Sequence, residues 1–280
     1  MIKLLLPYPA ALVKAQETRT LVIADLHIGW EIALAEKGIH VPPQMPKLLN
    51  KLTTIISQYK PDRLLVLGDI KYTVSATEMG EWQDIPNFFS ELKKHVKEIS
   101  IIRGNHDGNL EPLLPEGISI LPSTGIALGE VGFFHGHQWP SPTLLQCKIL
   151  VMGHVHPVIA LSDPAGFRIV RQVWVRIDCD KAKLAQVLLQ KHEVKIEGAS
   201  EKTLQTRYKI RSKASKLFIM PSFNDFLGGK PLNEKKRGET AKNGAIGPVL
   251  RSEAIDMKAA EIYLLDGIFL GTLNQLESLS

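Results

Sequence analysis

Short apolar runs alternate with helical apolar spacing over the first 110 residues. Leu21-Val22-Ile23-Ala24 is a first run, Leu64-Leu65-Val66-Leu67 a second and Ile99 to Ile102 a third. Between the first two, Leu48, Leu52, Ile55, Ile56 and Tyr59 recur at helical spacing after the breaker VPPQMP. Between the last two, Trp82, Ile85, Phe88, Phe89, Leu92 and Val96 form another apolar helix face, with Pro86 expected near its first turn. Strand–helix–strand–helix–strand predicts parallel strands joined by helical crossovers.

Beyond Leu110 the pattern shortens. Ile118–Leu121, Ile126–Leu128, Val131–Phe134 and Ile149–Met152 are brief runs separated by Gly and Pro, followed by Phe167–Ile177, Ala185–Leu189, Leu217–Met220 and Ala260–Leu265. Asp266-Gly267 before Ile268–Leu273 is a hairpin signal. This half reads as β-rich. The opening MIKLLLPYPAALVKAQ mimics a signal peptide, but Pro7 and Pro9 break it and a strand follows at once; it reads as an edge strand or hairpin. Residues 1–280 are expected to form a single domain, with a flexible surface loop at 228–247.

The chain is 44% hydrophobic and 22% charged, an ordinary globular composition. No apolar run reaches the roughly 18 residues that span a bilayer. Its two cysteines, Cys147 and Cys179, lack metal-ligand spacing and are expected to be reduced thiols of a cytoplasmic protein. The net charge of +5 tolerates a polyanion such as nucleic acid and equally suits plain solubility. The basic residues Lys230, Lys235, Lys236 and Arg237 read first as a solvated excursion.

Five apolar runs end in polar residues: Asp25-Leu26-His27, Gly68-Asp69, Gly104-Asn105-His106-Asp107, His135-Gly136-His137 and Gly153-His154-Val155-His156. Ligands of open α/β sheets sit beyond the carboxyl ends of strands, so these distant segments can share one rim. Residues i and i+2 of an extended chain face the same way, which pairs Asp25 with His27 and His154 with His156. Carboxylate, imidazole and carboxamide are donors for manganese, iron, zinc and related ions. Each segment alone has a plain alternative, such as a turn, a helix cap or an exposed loop. Six of the nine histidines fall in these segments. His40, His95 and His192 lie in a loop, on a solvated helix face and in a charged stretch.

The order D-x-H, G-D, G-N-H-D, H-G-H, G-H-x-H resembles the calcineurin-like metallophosphoesterase superfamily. The tail beyond His156 is similar to the cytosolic ICC-like phosphoesterase branch, some bacterial members of which are associated with DNA-repair ligases. The resemblance implies a four-layer α/β-sandwich, two mixed β-sheets packed face to face with flanking helices. It implies two divalent metal ions, manganese first, with iron, nickel, zinc or magnesium as alternatives. Asp25, His27 and His156 would hold one ion and Asn105, His135 and His154 the other, with Asp69 bridging. His106 would be the acid near the leaving group and Asp107 its orienting partner, with Gly104 and Gly108 letting the backbone pass close to the ions. The activity implied is hydrolysis of a phosphodiester or phosphomonoester, nucleotide or nucleic acid favoured, by a metal-bridging hydroxide. Arg103, His137 and Tyr72 are further candidates for substrate contact. Tyr72 departs from the pattern, since many relatives carry His or Asp there. A non-catalytic scaffold and a nucleic-acid-binding module on the same fold are the competing readings.

Overall fold

A computed structural model describes residues 1–74, 79–163, 165–196, 198–234 and 246–278. The first sheet takes its strands in chain order: β1 (Ile2–Leu4), β2 (Ala11–Ala15), β3 (Thr18–Ile23), β4 (Arg63–Val66), β5 (Glu98–Ile102) and β6 (Ile118–Leu121). β1, β2 and β3 pair antiparallel; β3 to β6 are parallel. The opening residues are thus the expected hairpin at a sheet edge.

The crossovers use α1 (Trp30–Ala35), α2 (Met45–Tyr59) and α3 (Met79–Leu92). α2 and α3 turn Leu48, Leu52, Ile55 and Ile56, and Ile85, Phe88, Phe89 and Leu92, onto Leu21, Ile23, Leu64, Val66, Ile99 and Ile101. Pro86 sits eighth of the fourteen residues of α3 instead of near the first turn. The helix begins ahead of the apolar pattern, at Met79, and four buried apolar side chains on either side of Pro86, Ile85, Phe88, Phe89 and Leu92, outweigh the lost backbone hydrogen bond.

The second sheet contains β7 (Ile126–Leu128), β8 (Val131–Phe134), β9 (Ile149–Met152), β10 (Val158–Ser162), β11 (Arg168–Asp178), β12 (Lys216–Ile219), β13 (Glu261–Leu264) and β14 (Phe269–Thr272). Its order is β14-β13-β11-β12-β9-β8-β7, with β10 on β11. β12–β9 and β9–β8 are parallel and the remaining pairs antiparallel, so both sheets are mixed. The Asp266-Gly267 turn joins β13 to β14 as the hairpin signal indicated.

Alternation along β3 explains the layering. Leu21 and Ile23 face the helices, whereas Val22 and Ala24 face Val131, Phe133, Val151 and Trp174 of the second sheet. On the far side, Leu150, Met152, Val175 and Ile219 meet α4 (Lys181–Lys191), α5 (Ser200–Tyr208) and α6 (Leu273–Glu277). Helix, sheet, sheet and helix make four layers.

Ala185–Leu189, grouped above with the β-rich runs, lies inside α4. Asp180 decides this: its carboxylate accepts the N–H groups of Ala182 and Lys183 and caps the helix. Part of the expected flexible loop is also held. The Leu232 N–H donates to the Val158 carbonyl, and the Asn233 amide exchanges two hydrogen bonds with the Ala160 backbone. Lys235, Lys236 and Arg237 lie outside the described residues.

Candidate metal centre

The five polar segments meet on one rim. Asp25 follows β3, Asp69 follows β4 and Asn105 follows β5, while His135 follows β8 and His154 and His156 follow β9. The first sheet therefore supplies four of the seven donors, Asp25, His27, Asp69 and Asn105, and the second sheet three. Parallel pairing continues past the strand ends: the Asp25 N–H donates to the Gly68 carbonyl, His27 N–H to Asp69, and Gly153 N–H to His135.

Side chains converge because the backbone bends out of the strand conformation. Asp25, His27, Asp69, His154 and His156 all have positive φ, between 42° and 70°. Such backbone costs an L-residue roughly 1–2 kcal/mol and clusters at functional sites. Close packing of the bends also demands glycine. A Cβ on Gly104 would lie 2.2 Å from Asp69 Oδ1 and 2.4 Å from its nitrogen. Gly108, by contrast, meets only the Val74 carbonyl oxygen, at 3.4 Å, among the described residues. Of the two glycines expected to matter in this segment, Gly104 is the one that crowding by described residues requires.

Two donor groups result. Asp25, His27, Asp69 and His156 each offer an atom within 4.8 Å of the others, as do Asp69, His135 and His154. Asp69 belongs to both groups. Asn105 Oδ1 stands 3.2 Å from His135 Nε2, which places it in the second group.

The donor chemistry fits divalent cations. The His135 Nδ1–H donates to the Leu67 carbonyl at 2.6 Å, which turns Nε2 toward Asn105 Oδ1 and, at 3.4 Å, toward Asp69 Oδ1. Three lone-pair atoms can face one another only around a proton or a cation. His27 Nε2 and His156 Nε2 lie 3.2 Å apart, and Asp69 Oδ2 is 3.4 Å from the former. No thiolate takes part, so oxygen and imidazole donors define the site.

Burial and charge divide the titrating groups. Burial holds His27 and His154 down at about 4, and His137 likewise. Burial would raise Asp25 and Asp69, but nearby imidazoles, His156 for Asp25 and His135 for Asp69, keep both carboxyls below their usual range. His135 goes the other way: burial opposes its charge, yet Asp69 and Asp25 push it up to about 9.

The His135 shift has a measurable sign. An unfolded imidazole titrates near 6.5, so this group's contribution to the stability of the metal-free protein is complete below about 6.5 and is lost as the pH rises through about 9. A cation held by His135 Nε2 would have to expel the same proton. Titrating Mn²⁺ into metal-free protein at pH 7.5 should release protons, and apparent affinity should climb until about pH 9. Calorimetry in buffers of different ionisation enthalpy gives the count; zero protons released would refute this coupling.

Asp107 stands elsewhere than expected. It does not touch the His106 ring: Oδ2 accepts the N–H groups of Asp69 and Gly104 at 2.8 Å, and Oδ1 accepts Ile70 at 2.7 Å. A buried carboxylate ringed by three backbone donors has no oxygen turned to the imidazole. The Tyr72 carbonyl holds His106 instead, by accepting from Nδ1. His106 Nε2 then lies 4.0 Å from Asp69 Oδ2 on the partly open side of the cluster.

Tyr72 borders the site, its ring centroid 6.0 Å from that of His27 and 6.3 Å from that of His106. His137 packs beside His135 and His154 at 5.2 and 6.2 Å. The Arg103 guanidinium pairs with Glu111, so it is engaged outside the two donor groups.

Two supporting residues were not read from the sequence. Ser222 Oγ donates to the Asp25 carbonyl at 2.8 Å, and Asn224 Nδ2 donates to the Leu26 carbonyl at 3.0 Å; both are fully buried. Ser222-x-Asn224 follows the apolar run Leu217–Met220 after Pro221, near the strand-end position that marks the other segments.

A four-layer α/β sandwich carrying oxygen and imidazole donors at its strand ends is the architecture of a metallophosphoesterase. The chain belongs to the calcineurin-like phosphoesterase family, whose sequence profile matches residues 18–180, a span that includes both donor groups. It is similar to the solved Pseudomonas putida nuclease MPE, with 16% identity, 92% of this chain and 97% of that chain covered, and a TM-score of 0.47. It is also similar to Yfce, a phosphoesterase from E. coli, with 18% identity, 51% and 73% coverage and a TM-score of 0.32. No curated protein matches. No helix among the described residues is long and apolar enough to cross a membrane.

Proposed function

We propose that the protein hydrolyses phosphate esters, with nucleotide or nucleic-acid phosphodiesters as the favoured substrates. One observation carries this reading: a single carboxylate, Asp69, is common to two adjacent donor groups. Two divalent cations, manganese foremost, would neutralise charge on the phosphate and acidify a water.

The chain's own residues have distinct tasks. Asp25, His27 and His156 serve one side, Asn105, His135 and His154 the other. Asn105 adds a donor without another negative charge, which keeps the site electrophilic. Because the Tyr72 carbonyl only accepts, His106 Nδ1 carries the ring proton held there; in the imidazolium form Nε2 carries the second proton, which passes to a departing alkoxide and leaves the Nδ1–H tautomer. Tyr72 and His137 line the approach. The net charge of +5 suits a polyanionic substrate.

The test is turnover of a chromogenic phosphodiester with and without Mn²⁺, Mg²⁺, Ni²⁺ or Zn²⁺. The wild type should turn over only with metal, and His106→Ala should lose about 10²–10⁴-fold on esters with poor leaving groups. Inactivity with all four ions would defeat the reading and favour a non-catalytic scaffold. On DNA or RNA, binding should weaken steeply with salt as phosphate contacts release counterions.

A further inference from the structure

We infer that Glu81 is a positioning residue for the proposed acid His106, acting through the backbone of Tyr72 and Thr73. This rests on the assignment of His106 made above and deepens it.

Glu81 sits in the first turn of α3 and is fully buried. Its Oε1 accepts the N–H groups of Tyr72 at 3.0 Å and Thr73 at 2.9 Å, and Oε2 accepts the Thr73 hydroxyl at 2.5 Å. A buried carboxylate with three donors from two neighbouring residues fixes the peptide planes on which they lie. The carbonyl of Tyr72 belongs to the peptide plane whose N–H, that of Thr73, Glu81 accepts. That same carbonyl holds His106 Nδ1. Rotating the plane would swing its oxygen off the imidazole.

The surroundings are shaped for the clamp. Lys71, also buried, donates from Nζ to the Thr73 carbonyl at 2.6 Å, which pins the following peptide. Gly29, with φ of 98°, gives Glu81 its room: a Cβ there would stand 2.9 Å from Glu81 Cγ. Gly80 lets α3 approach α1, since a Cβ would meet Ile32 Cδ1 at 2.2 Å. Three elements thus meet so that one carboxylate reaches Tyr72 and Thr73, a few residues beyond Asp69 on the β4–α3 connection.

Burial alone would give Glu81 a purely structural role, so the test must read out His106. Glu81→Gln keeps shape and one acceptor oxygen; Thr73→Val removes only the hydroxyl donor and serves if the first variant folds poorly. Two diesters are compared, one with a p-nitrophenolate leaving group and one with an alkoxide. Proton donation matters for the second and little for the first. Expected is a roughly 10- to 100-fold fall in kcat on the alkyl ester, under about 3-fold on the nitrophenyl ester, and an unchanged KM. In the His106→Ala background the Glu81 change should cost nothing further. In the metal-free protein, ¹⁵N spectra of the histidine rings should show His106 losing its Nδ1-protonated form in Glu81→Gln.

Equal losses on both esters, additivity with His106→Ala, or an unaltered His106 tautomer would overturn the inference while leaving the acid assignment standing. If His106→Ala itself shows no leaving-group dependence, the acid assignment fails, and the inference with it.

Discussion

Asp69→Asn should abolish hydrolysis, by about 10⁴-fold or more, while leaving the fold intact. The two oxygens of Asp69 look at different histidines: Oδ1 is 3.4 Å from His135 Nε2, and Oδ2 is 3.4 Å from His27 Nε2. An amide presents one oxygen and one NH₂, so one of the two proposed cations would face a donor of the wrong polarity. Several kcal/mol of transition-state stabilisation depend on the paired charges, and each 1.36 kcal/mol is a factor of ten. The substitution spares the backbone, because Asn tolerates the left-handed conformation that Asp69 adopts, with φ of 53°. Elemental analysis should show fewer than two ions per chain. His135, pushed up to about 9 chiefly by Asp69 against the pull of burial, should titrate lower in the variant. Retention of two ions with more than about one hundredth of the activity would refute the shared-carboxylate assignment.

Asp107→Ala should be the most destabilising change in the site, and for a different reason. Three backbone N–H groups, of Asp69, Ile70 and Gly104, would lose their acceptor inside the protein. An orphaned buried donor costs about 1–3 kcal/mol. Removing a carboxylate whose own pKa is raised, first by burial and then by Asp69, returns part of that. A net loss of about 3 kcal/mol is expected in denaturant unfolding of the metal-free protein. Asp107→Asn keeps one acceptor oxygen and should lose about half as much. A role confined to the His106 ring predicts nearly unchanged stability and a loss confined to turnover. A stability change below about 1 kcal/mol would favour that alternative.

Asp107 also shows where sequence reading stops. The adjacency Asn105-His106-Asp107 marked all three residues as belonging to one rim, and the structure brings them there. What each side chain touches depends on backbone direction in a tight bend, which residue spacing does not encode. Asp107 points back into the β4–β5 junction, whereas its neighbours point out. The strands were legible because short apolar runs set apart by Gly, Pro and polar residues mark them: Ile118–Leu121, Ile126–Leu128, Val131–Phe134 and Ile149–Met152 have the boundaries that the apolar runs drew. Ala185–Leu189 was not, because a five-residue stretch with four apolar positions fits either period, and the cap at Asp180 outside it was the deciding signal. The donor groups were readable as residue types in order. Ser222, Asn224 and Glu81 were not, since one polar residue at the end of a run or inside a helix looks like any solvated position until its burial is known.

The left-handed bends at His27 and His156 carry a consequence for directed evolution. Glycine enters that region of backbone space without steric penalty, whereas histidine does not. A library sorted only for expression or heat tolerance would be drawn, on backbone grounds, toward glycine at these two positions, and would return sturdy but inert clones. Selection on turnover would restore the imidazoles against that drift, so the two screens should diverge most sharply at these positions.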